Sequence, residues 1–275
     1  MPAKKKYAVA FLGAGNMATA LIRGFAAAKL FKPSQMLVTD SDAAKRRSAV
    51  RKLGVAATAD NRAAVRSAQT ILLAVKPQVI DAVLDEVRPE VTRSNLFVSI
   101  AAGVTTRRME SHLGGTSRVV RVMSNTPALL GRGMSVVVRG SRATPADQRL
   151  TLRLFRAVGD AMATDDEGDL DAVTGLSGSG PAYLYFFAEA LIRGGVEVGL
   201  APEVARRLAL QTVLGAAHML VEAGASPEAL RAAVTSPGGT TLAGLTEMQR
   251  RQFPETVAGA VAAATARSRE LGRSS

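Results

Sequence analysis

Tyr7-Ala-Val-Ala-Phe-Leu12, followed at once by Gly13-Ala-Gly15-Asn-Met-Ala18, is the stretch that decides the fold. The first six residues are a short apolar run suited to a buried parallel strand. The next six spell G-x-G-x-x-A. In such a loop the first glycine allows a tight turn, the second lets a pyrophosphate approach the backbone, and the final small residue lets a helix pack closely on the strand. A helix is expected directly behind, because Met17, Leu21, Phe25 and Ala28 form one apolar stripe. The motif alone is weak; the strand before it and the amphipathic helix after it are the context that gives it meaning.

Working outward, residues 36–39 (M-L-V-T) read as a second strand that ends at Asp40, where a carboxylate would bond the ribose hydroxyls of NAD. Lys45, Arg46 and Arg47 follow. One of them could reach the 2′-phosphate of NADP, or all three could form a solvated helix face. Residues 71–75 and 96–100 read as further apolar strands, ending in Lys76-Pro77 and in Ala101-Ala102-Gly103. Those ends are where open α/β sheets bind ligands, and simple structural turns would also explain them. Residues 119–122 and 134–138 look like strands flanking Ser124-Asn125-Thr126-Pro127-Ala128, a turn that offers an amide and a hydroxyl near the expected nicotinamide. A helix over residues 145–157 and a brief strand around Ala161 complete this half.

From about residue 164 the chain is expected to be helical. Leu176-Ser-Gly-Ser-Gly-Pro-Ala-Tyr183 reads as a glycine-serine loop whose Pro181 begins or bends a helix running to about Arg193. A helix over residues 202–222 carries Val204, Leu208, Leu210, Val213, Leu214 and Met219 around more than one side, so it needs cover from a partner subunit. Residues 235–245 (T-S-P-G-G-T-T-L-A-G-L) combine breakers with hydroxyls, and Thr240 and Thr241 stand where an N-cap is expected. The helix end so formed is either an anion site or an ordinary capped turn.

Composition narrows the chemistry. The 275 residues are 47% hydrophobic, enough for two domains. Without cysteine there is no disulfide or thiolate chemistry, and His112 and His218 stand far apart with no metal-ligand spacing, so no metal is expected. A net charge of +12 invites nucleic acid, but aromatics are 4% of residues and the arginines are scattered, so none is expected. Residues 1–22 resemble a signal peptide superficially, yet Gly13, Gly15 and Asn16 break the apolar run; no membrane span is seen, and a cytoplasmic protein is expected.

Every lysine lies within the first 76 residues. A dehydrogenase of hydroxy acids generally needs a Lys, His or Tyr to move the alcohol proton, and the second half offers only His218, Tyr183 and Tyr185. An imine substrate relaxes that demand. A protonated C=N is already activated, so the protein need only orient it, hold its anionic group and supply a donor to nitrogen.

Taken together, Phe11-Leu-Gly-Ala-Gly-Asn-Met-Ala18, Ala74-Val-Lys-Pro77, Ser99-Ile-Ala-Ala-Gly-Val104, Asn125-Thr-Pro-Ala128, residues 171–183 and Val234-Thr-Ser-Pro-Gly-Gly-Thr-Thr241 resemble the pyrroline-5-carboxylate reductases, in order and over nearly the whole chain. The resemblance implies an α/β Rossmann-type dinucleotide-binding domain over residues 1–164, followed by an all-α dimerisation and substrate domain over residues 165–275. It implies reduction of 1-pyrroline-5-carboxylate to L-proline by NADPH or NADH, in a homodimer or a larger assembly such as a decamer. Cofactor contacts carry over to Leu12, Gly13, Ala14, Gly15, Asn16, Met17, Asp40 or Ser41, Asn61, Ala74, Val75, Lys76, Pro77, Ile100, Ala101 and Ala102. The substrate carboxylate falls to Ser236, Gly238, Gly239, Thr240 and Thr241, with Thr241 donating to the ring nitrogen.

Two departures stand out. Ser124 replaces a proline common in the family, which alters a turn; Asp40 replaces Ser, Thr or Asn of NADP-preferring relatives, and its charge would repel a 2′-phosphate. Dual use with NADH competitive is therefore expected. Alternatives of different scope are a reductase of another cyclic imino acid and a non-catalytic nucleotide sensor.

Overall fold

The computed structural model describes residues 6–273. β1 (Tyr7–Leu12) and α1 (Asn16–Ala27) form as the opening motif requires. The stripe of α1 differs in detail: Ala18, Leu21, Ile22 and Phe25 are buried, whereas Ala28 is the exposed C-cap. The chain continues through β2 (Met36–Thr39), α2 (Ala43–Leu53), β3 (Ala56–Thr58), α3 (Asn61–Ser67), β4 (Ala68–Leu73), α4 (Ile80–Val87), β5 (Leu96–Ser99) and α5 (Thr106–His112). β6 (Arg118–Ser124), β7 (Gly133–Arg139), α6 (Pro145–Arg156) and β8 (Gly159–Ala163) complete the sheet region.

The eight strands lie in the order β3-β2-β1-β4-β5-β6-β7-β8, parallel except where β7 runs antiparallel to β6. The order reverses at β1, between β2 and β4, and the crevice beyond the carboxyl ends of β1 and β4 is where such sheets take a ligand. Both faces are covered, which is why the central strands are almost continuously apolar. Val9, Phe11, Val38, Leu72 and Val98 pack with Leu21 and Phe25 of α1 and with Leu154 and Phe155 of α6. Ala10, Leu12, Ile71, Leu73 and Phe97 pack on the other face with Val65, Ile80, Leu84 and Met109.

Strand bounds shift where pairing overrides apolarity. β4 begins at Ala68, opposite Tyr7, and ends before Ala74, whose N–H still donates to Leu12 O at 2.8 Å.

α7 (Asp169–Val173), a single π turn over Thr174–Gly178 and α8 (Gly180–Glu197) then follow in nearly unbroken succession. The glycine-serine segment expected to be a loop is thus helical. Ser179 N–H donates to Thr174 O at 2.8 Å, the wide i to i−5 bond of a π turn. Asn125 holds this turn: its Nδ2 donates to Ser177 O at 3.1 Å, and its Oδ1 accepts from Met134 N–H at 2.9 Å. The Asn125 amide is committed to structure.

The remaining helices are α9 (Pro202–Glu222), α10 (Pro227–Ala233), α11 (Thr240–Arg250) and α12 (Phe253–Arg273). Packing divides the chain into two compact units, residues 1–179 with 263–275, and residues 180–262. Within the second unit Tyr183 Oη donates to Ala260 O at 3.4 Å and the rings of Phe187 and Phe253 lie 6.0 Å apart. Among its described residues only the small Ala188, Ala205 and Ala209 are buried hydrophobics, while Leu208, Leu214 and Met219 of α9 are each more than half exposed. The single chain leaves α9 uncovered, as its many-sided apolarity implied. His218 is in α9, exposed, with Nδ1 2.8 Å from Glu222. Among the described residues no helix is long and apolar enough to cross a membrane.

Candidate active site

In the first unit the site is built at the carboxyl ends of β1, β2, β4 and β5. Gly13 has φ +106°, and a Cβ there would lie 2.5 Å from Ala74 O, so the turn demands glycine for both conformation and room. Gly15 differs. It is the N-cap of α1 with ordinary extended φ, and a Cβ on it would meet nothing within 4 Å. No side chain caps this helix and its first turn carries no acid, so neither cap nor first-turn carboxylate offsets the N–H donors at its start, which have the positive end of the helix dipole behind them. Ala14, Gly15, Asn16 and Thr19, with Arg23, Lys45 and Lys52, line a basic depression of about 280 Å³ between α1 and α2. A dinucleotide diphosphate fits this donor set. Leu12 lies buried at the foot of the loop.

Asp40 ends β2 as expected, but its carboxylate turns in on the loop. Oδ2 accepts from Ala14 N–H at 3.0 Å, Oδ1 accepts from Asp42 N–H at 2.9 Å, and Lys45 Nζ stands 3.6 Å away. Burial works to raise the Asp40 pKa, yet the two N–H donors and the Lys45 ammonium outweigh it and hold the group below the ordinary carboxylate value. Arg46 donates to Asp40 O and Ser41 O, fixing the turn that presents Asp40 and Ser41; Arg47 is exposed. Asn61, the first residue of α3, joins the same edge, with Oδ1 accepting from Thr39 Oγ1 and Nδ2 donating to Glu86 at 2.9 Å.

Ala74 and Val75 leave β4 beside Gly13, Lys76 is exposed, and Pro77 opens a short 3₁₀ turn. At β5, Ile100 N–H donates to Leu73 O at 3.2 Å and Ala101 N–H to Ser99 Oγ at 3.2 Å; Ala102 is exposed. The structure therefore gathers the predicted cofactor positions along one sheet edge. Sequence reading overlooked Asp42, which helps set Asp40, and Glu86, which sets Asn61; it named Arg46 for a 2′-phosphate or a solvated face, whereas Arg46 holds the backbone of Asp40 and Ser41. Asp42 could have been found, because its carboxylate caps α2 by accepting from Ala44 and Lys45 N–H, an ordinary N-cap signal.

The second unit holds the hydroxyl-rich segment. Ser236-Pro237-Gly238-Gly239 makes a tight turn, with Gly239 N–H on Ser236 O at 3.0 Å and Gly238 at φ +68°. The cap differs from expectation. Gly239, not a threonine, is the N-cap of α11, and a Cβ at that position would crowd Ser236. Thr240 and Thr241 are then the first two helical residues, both exposed, and no side chain caps the helix. Ser236, Thr240 and Thr241 hydroxyls and uncapped N–H donors thus meet at one helix start. Among the described residues no cluster of three or more His, Asp or Glu side chains could hold a metal.

A doubly wound sheet with an uncapped glycine-rich turn at its switch point defines a dinucleotide-binding protein, and its family makes it an NAD(P)-dependent oxidoreductase. The comparisons with known proteins agree. Residues 8–103 match the family profile described as NADP oxidoreductase, coenzyme F420-dependent, and residues 167–271 match that of pyrroline-5-carboxylate reductase dimerisation. The pyrroline-5-carboxylate reductase of Pisum sativum is 42% identical over 96% of this chain and 96% of its own length; that of Pseudomonas aeruginosa is 41% identical with the same coverage. The solved Coxiella burnetii reductase superposes with a TM-score of 0.90 at 36% identity, covering 97% of this chain and 98% of its own. The Plasmodium falciparum enzyme, solved with NADP bound, gives 0.86 at 30% identity, covering 98% and 99%. The chain belongs to the pyrroline-5-carboxylate reductase family.

Proposed function

We infer that the chain reduces 1-pyrroline-5-carboxylate to L-proline with NADPH or NADH, the last step of proline biosynthesis. The observation that carries the reading is the pairing, in one chain, of an open glycine turn for a diphosphate with an uncapped, hydroxyl-lined helix start for a carboxylate. The bound reduced dinucleotide supplies the hydride that the C=N carbon receives.

The chain's own residues do the rest. Gly13 and Gly15 admit the diphosphate, Asp40 and Ser41 meet the ribose, and Asn61 supports that edge. Ala74, Val75, Lys76, Pro77, Ile100, Ala101 and Ala102 line the nicotinamide side. Gly238 and Gly239 let the substrate carboxylate approach the α11 N–H groups, Ser236 and Thr240 orient it, and Thr241 donates to the ring nitrogen. No lysine or histidine base is required, because reduction removes no proton from the substrate: it adds hydride to carbon and one proton to the imine nitrogen, which accepts from the Thr241 hydroxyl, and solvent replaces the proton that Thr241 passes on.

Lys45 supports use of both nucleotides: Asp40 offers its carboxylate to the ribose of NADH, and the Lys45 ammonium 3.6 Å away offsets the charge that would repel the 2′-phosphate of NADPH. Residues 1–164 serve the nucleotide and most of residues 165–275 serve dimerisation and the substrate, a division supported by the matched dimerisation region, while residues 165–179 and the end of α12 pack with the first unit. The partners are the imino acid and further copies of the chain, in a dimer or a ring such as a decamer, with no nucleic acid. A cytoplasmic setting accords with the absence of cysteine.

The test is turnover on five- and six-membered cyclic imino acids with each nucleotide. The five-membered substrate is expected to lead by roughly 10-fold or more in kcat/KM, the scale set by one methylene. A six-membered preference would reassign the substrate.

A further inference from the structure

The loop of residues 100–105 runs from β5 to α5 and carries Ile100, Ala101 and Ala102. Its start is fixed by the sheet, since Ser99 pairs with Arg121 of β6 and accepts from Ala101 N–H. Its end is fixed by a residue distant in sequence. Glu167 Oε1 accepts from Thr106 N–H at 2.8 Å and from Arg121 Nη1 at 2.9 Å, while Oε2 accepts from Thr106 Oγ1 at 2.6 Å. The Arg121 side chain is only 5% exposed, so Glu167 also balances a buried charge. One carboxylate thereby ties the first residue of α5 to the strand beside β5.

The flank of the loop is held from the carboxyl end of the chain. Ser268, 5% exposed, donates from Oγ to Asp171 Oδ1 at 2.6 Å, four residues beyond Glu167. That bond docks the last turns of α12, and Leu271 and Gly272 lie alongside Gly103, whose φ is +74°. A Cβ added to Gly103 would stand 3.6 Å from Leu271 Cβ and 3.9 Å from Gly272 N. Neither Glu167 nor Ser268 lines the depression at the glycine turn, and nothing in the reaction needs a carboxylate or a hydroxyl at either position.

We propose that Glu167 and Ser268 are positioning residues for the dinucleotide: Glu167 through Thr106 and Arg121, and Ser268 through the end of α12, set the 100–105 loop in its cofactor-binding conformation. This rests on the reading that Ile100, Ala101 and Ala102 contact the nucleotide. It makes the last turns of α12 part of the nucleotide-binding apparatus.

The test measures Kd for NADPH and NADH and both Michaelis constants in Glu167→Gln, Thr106→Val, Thr106→Ser and Ser268→Ala, with Ala102→Glu as a probe of the loop itself. The expected result is a nucleotide Kd raised roughly tenfold in Glu167→Gln, Thr106→Val and Ser268→Ala, while KM for the imino acid moves less than about twofold. Thr106→Ser, which keeps the hydroxyl, regains most of the affinity lost in Thr106→Val. A merely structural role would lower thermal stability without splitting the two constants. If Ala102→Glu weakens nucleotide binding but Thr106→Val and Ser268→Ala do not, the positioning role is wrong and the loop contact stands. If Ala102→Glu leaves Kd unchanged, the loop contact itself is wrong and the positioning role falls with it.

Discussion

Gly13 and Gly15 stand two residues apart and are needed for opposite reasons, which makes them separable. Gly13→Ala forces a Cβ toward Ala74 O at a φ that L side chains rarely adopt, and is expected to cost about 2–4 kcal/mol of stability in thermal or denaturant unfolding. Gly15→Ala meets nothing in the protein and has an allowed φ, so its melting temperature should match wild type while ADP-ribose binding, followed by calorimetry, is lost. Gly15→Ala with full affinity would mean that no diphosphate lies there. Asp40 has a folded pKa below its ordinary 3.8, so the charged form is favoured in the fold, and its contribution is present above that value and lost as pH falls through the lowered one. The advantage of wild type over Asp40→Asn in ADP-ribose affinity should therefore be level from about pH 7 to pH 5 and disappear only below about 3.8. Disappearance near neutrality would exclude Asp40 as the charged partner. Asp40→Ser is expected to shift the kcat/KM ratio toward NADPH. At the other site, Thr241→Val should lower turnover roughly 100-fold, as loss of one positioned donor does, with nucleotide Kd nearly unchanged.

At the scale of elements, the legible parts were those in which local pattern and global packing agree. β1 and β2 could be read to the residue because an apolar run is closed by a glycine or an aspartate, and α9 because Pro202 opens it. β3 was not legible: Ala56-Ala57-Thr58 is three small, half-buried residues, and only pairing with β2 makes it a strand. The 174–178 turn was misread for a related reason. Its glycines and serines signal a loop, yet the Asn125 amide, some fifty residues earlier, supplies the bonds that keep it helical. The threonine cap on α11 was misassigned because the turn closed by Gly239 N–H on Ser236 O runs straight into the helix and leaves the cap at Gly239, which spacing alone does not reveal. The functional consequence was legible all the same: hydroxyls and free N–H groups at one helix start. Glu167 left no signal, since its partners Thr106 and Arg121 lie 61 and 46 residues away.

For the whole molecule, the second unit buries too little of its own apolar surface to be complete as one chain. Leu214 of α9 is 52% exposed, with Leu208 and Met219 similarly open, and the matched dimerisation region spans them. Leu214→Arg should convert the native oligomer to smaller species in sedimentation or light scattering at micromolar concentration, because a charge cannot be buried unpaired at an apolar contact. An unchanged mass would place the interface elsewhere. The class of enzyme was legible from the glycine turn and the missing lysines, and the substrate only from resemblance over the full chain, since no single motif names a five-membered ring. The most direct measurement of the central claim is a coupled one: oxidation of NADH and of NADPH by the purified protein with 1-pyrroline-5-carboxylate, with L-proline quantified in the same reaction. One L-proline formed per nucleotide oxidised, with both nucleotides active, is the predicted result. No nucleotide oxidation by correctly assembled protein, or oxidation without L-proline, would contradict it.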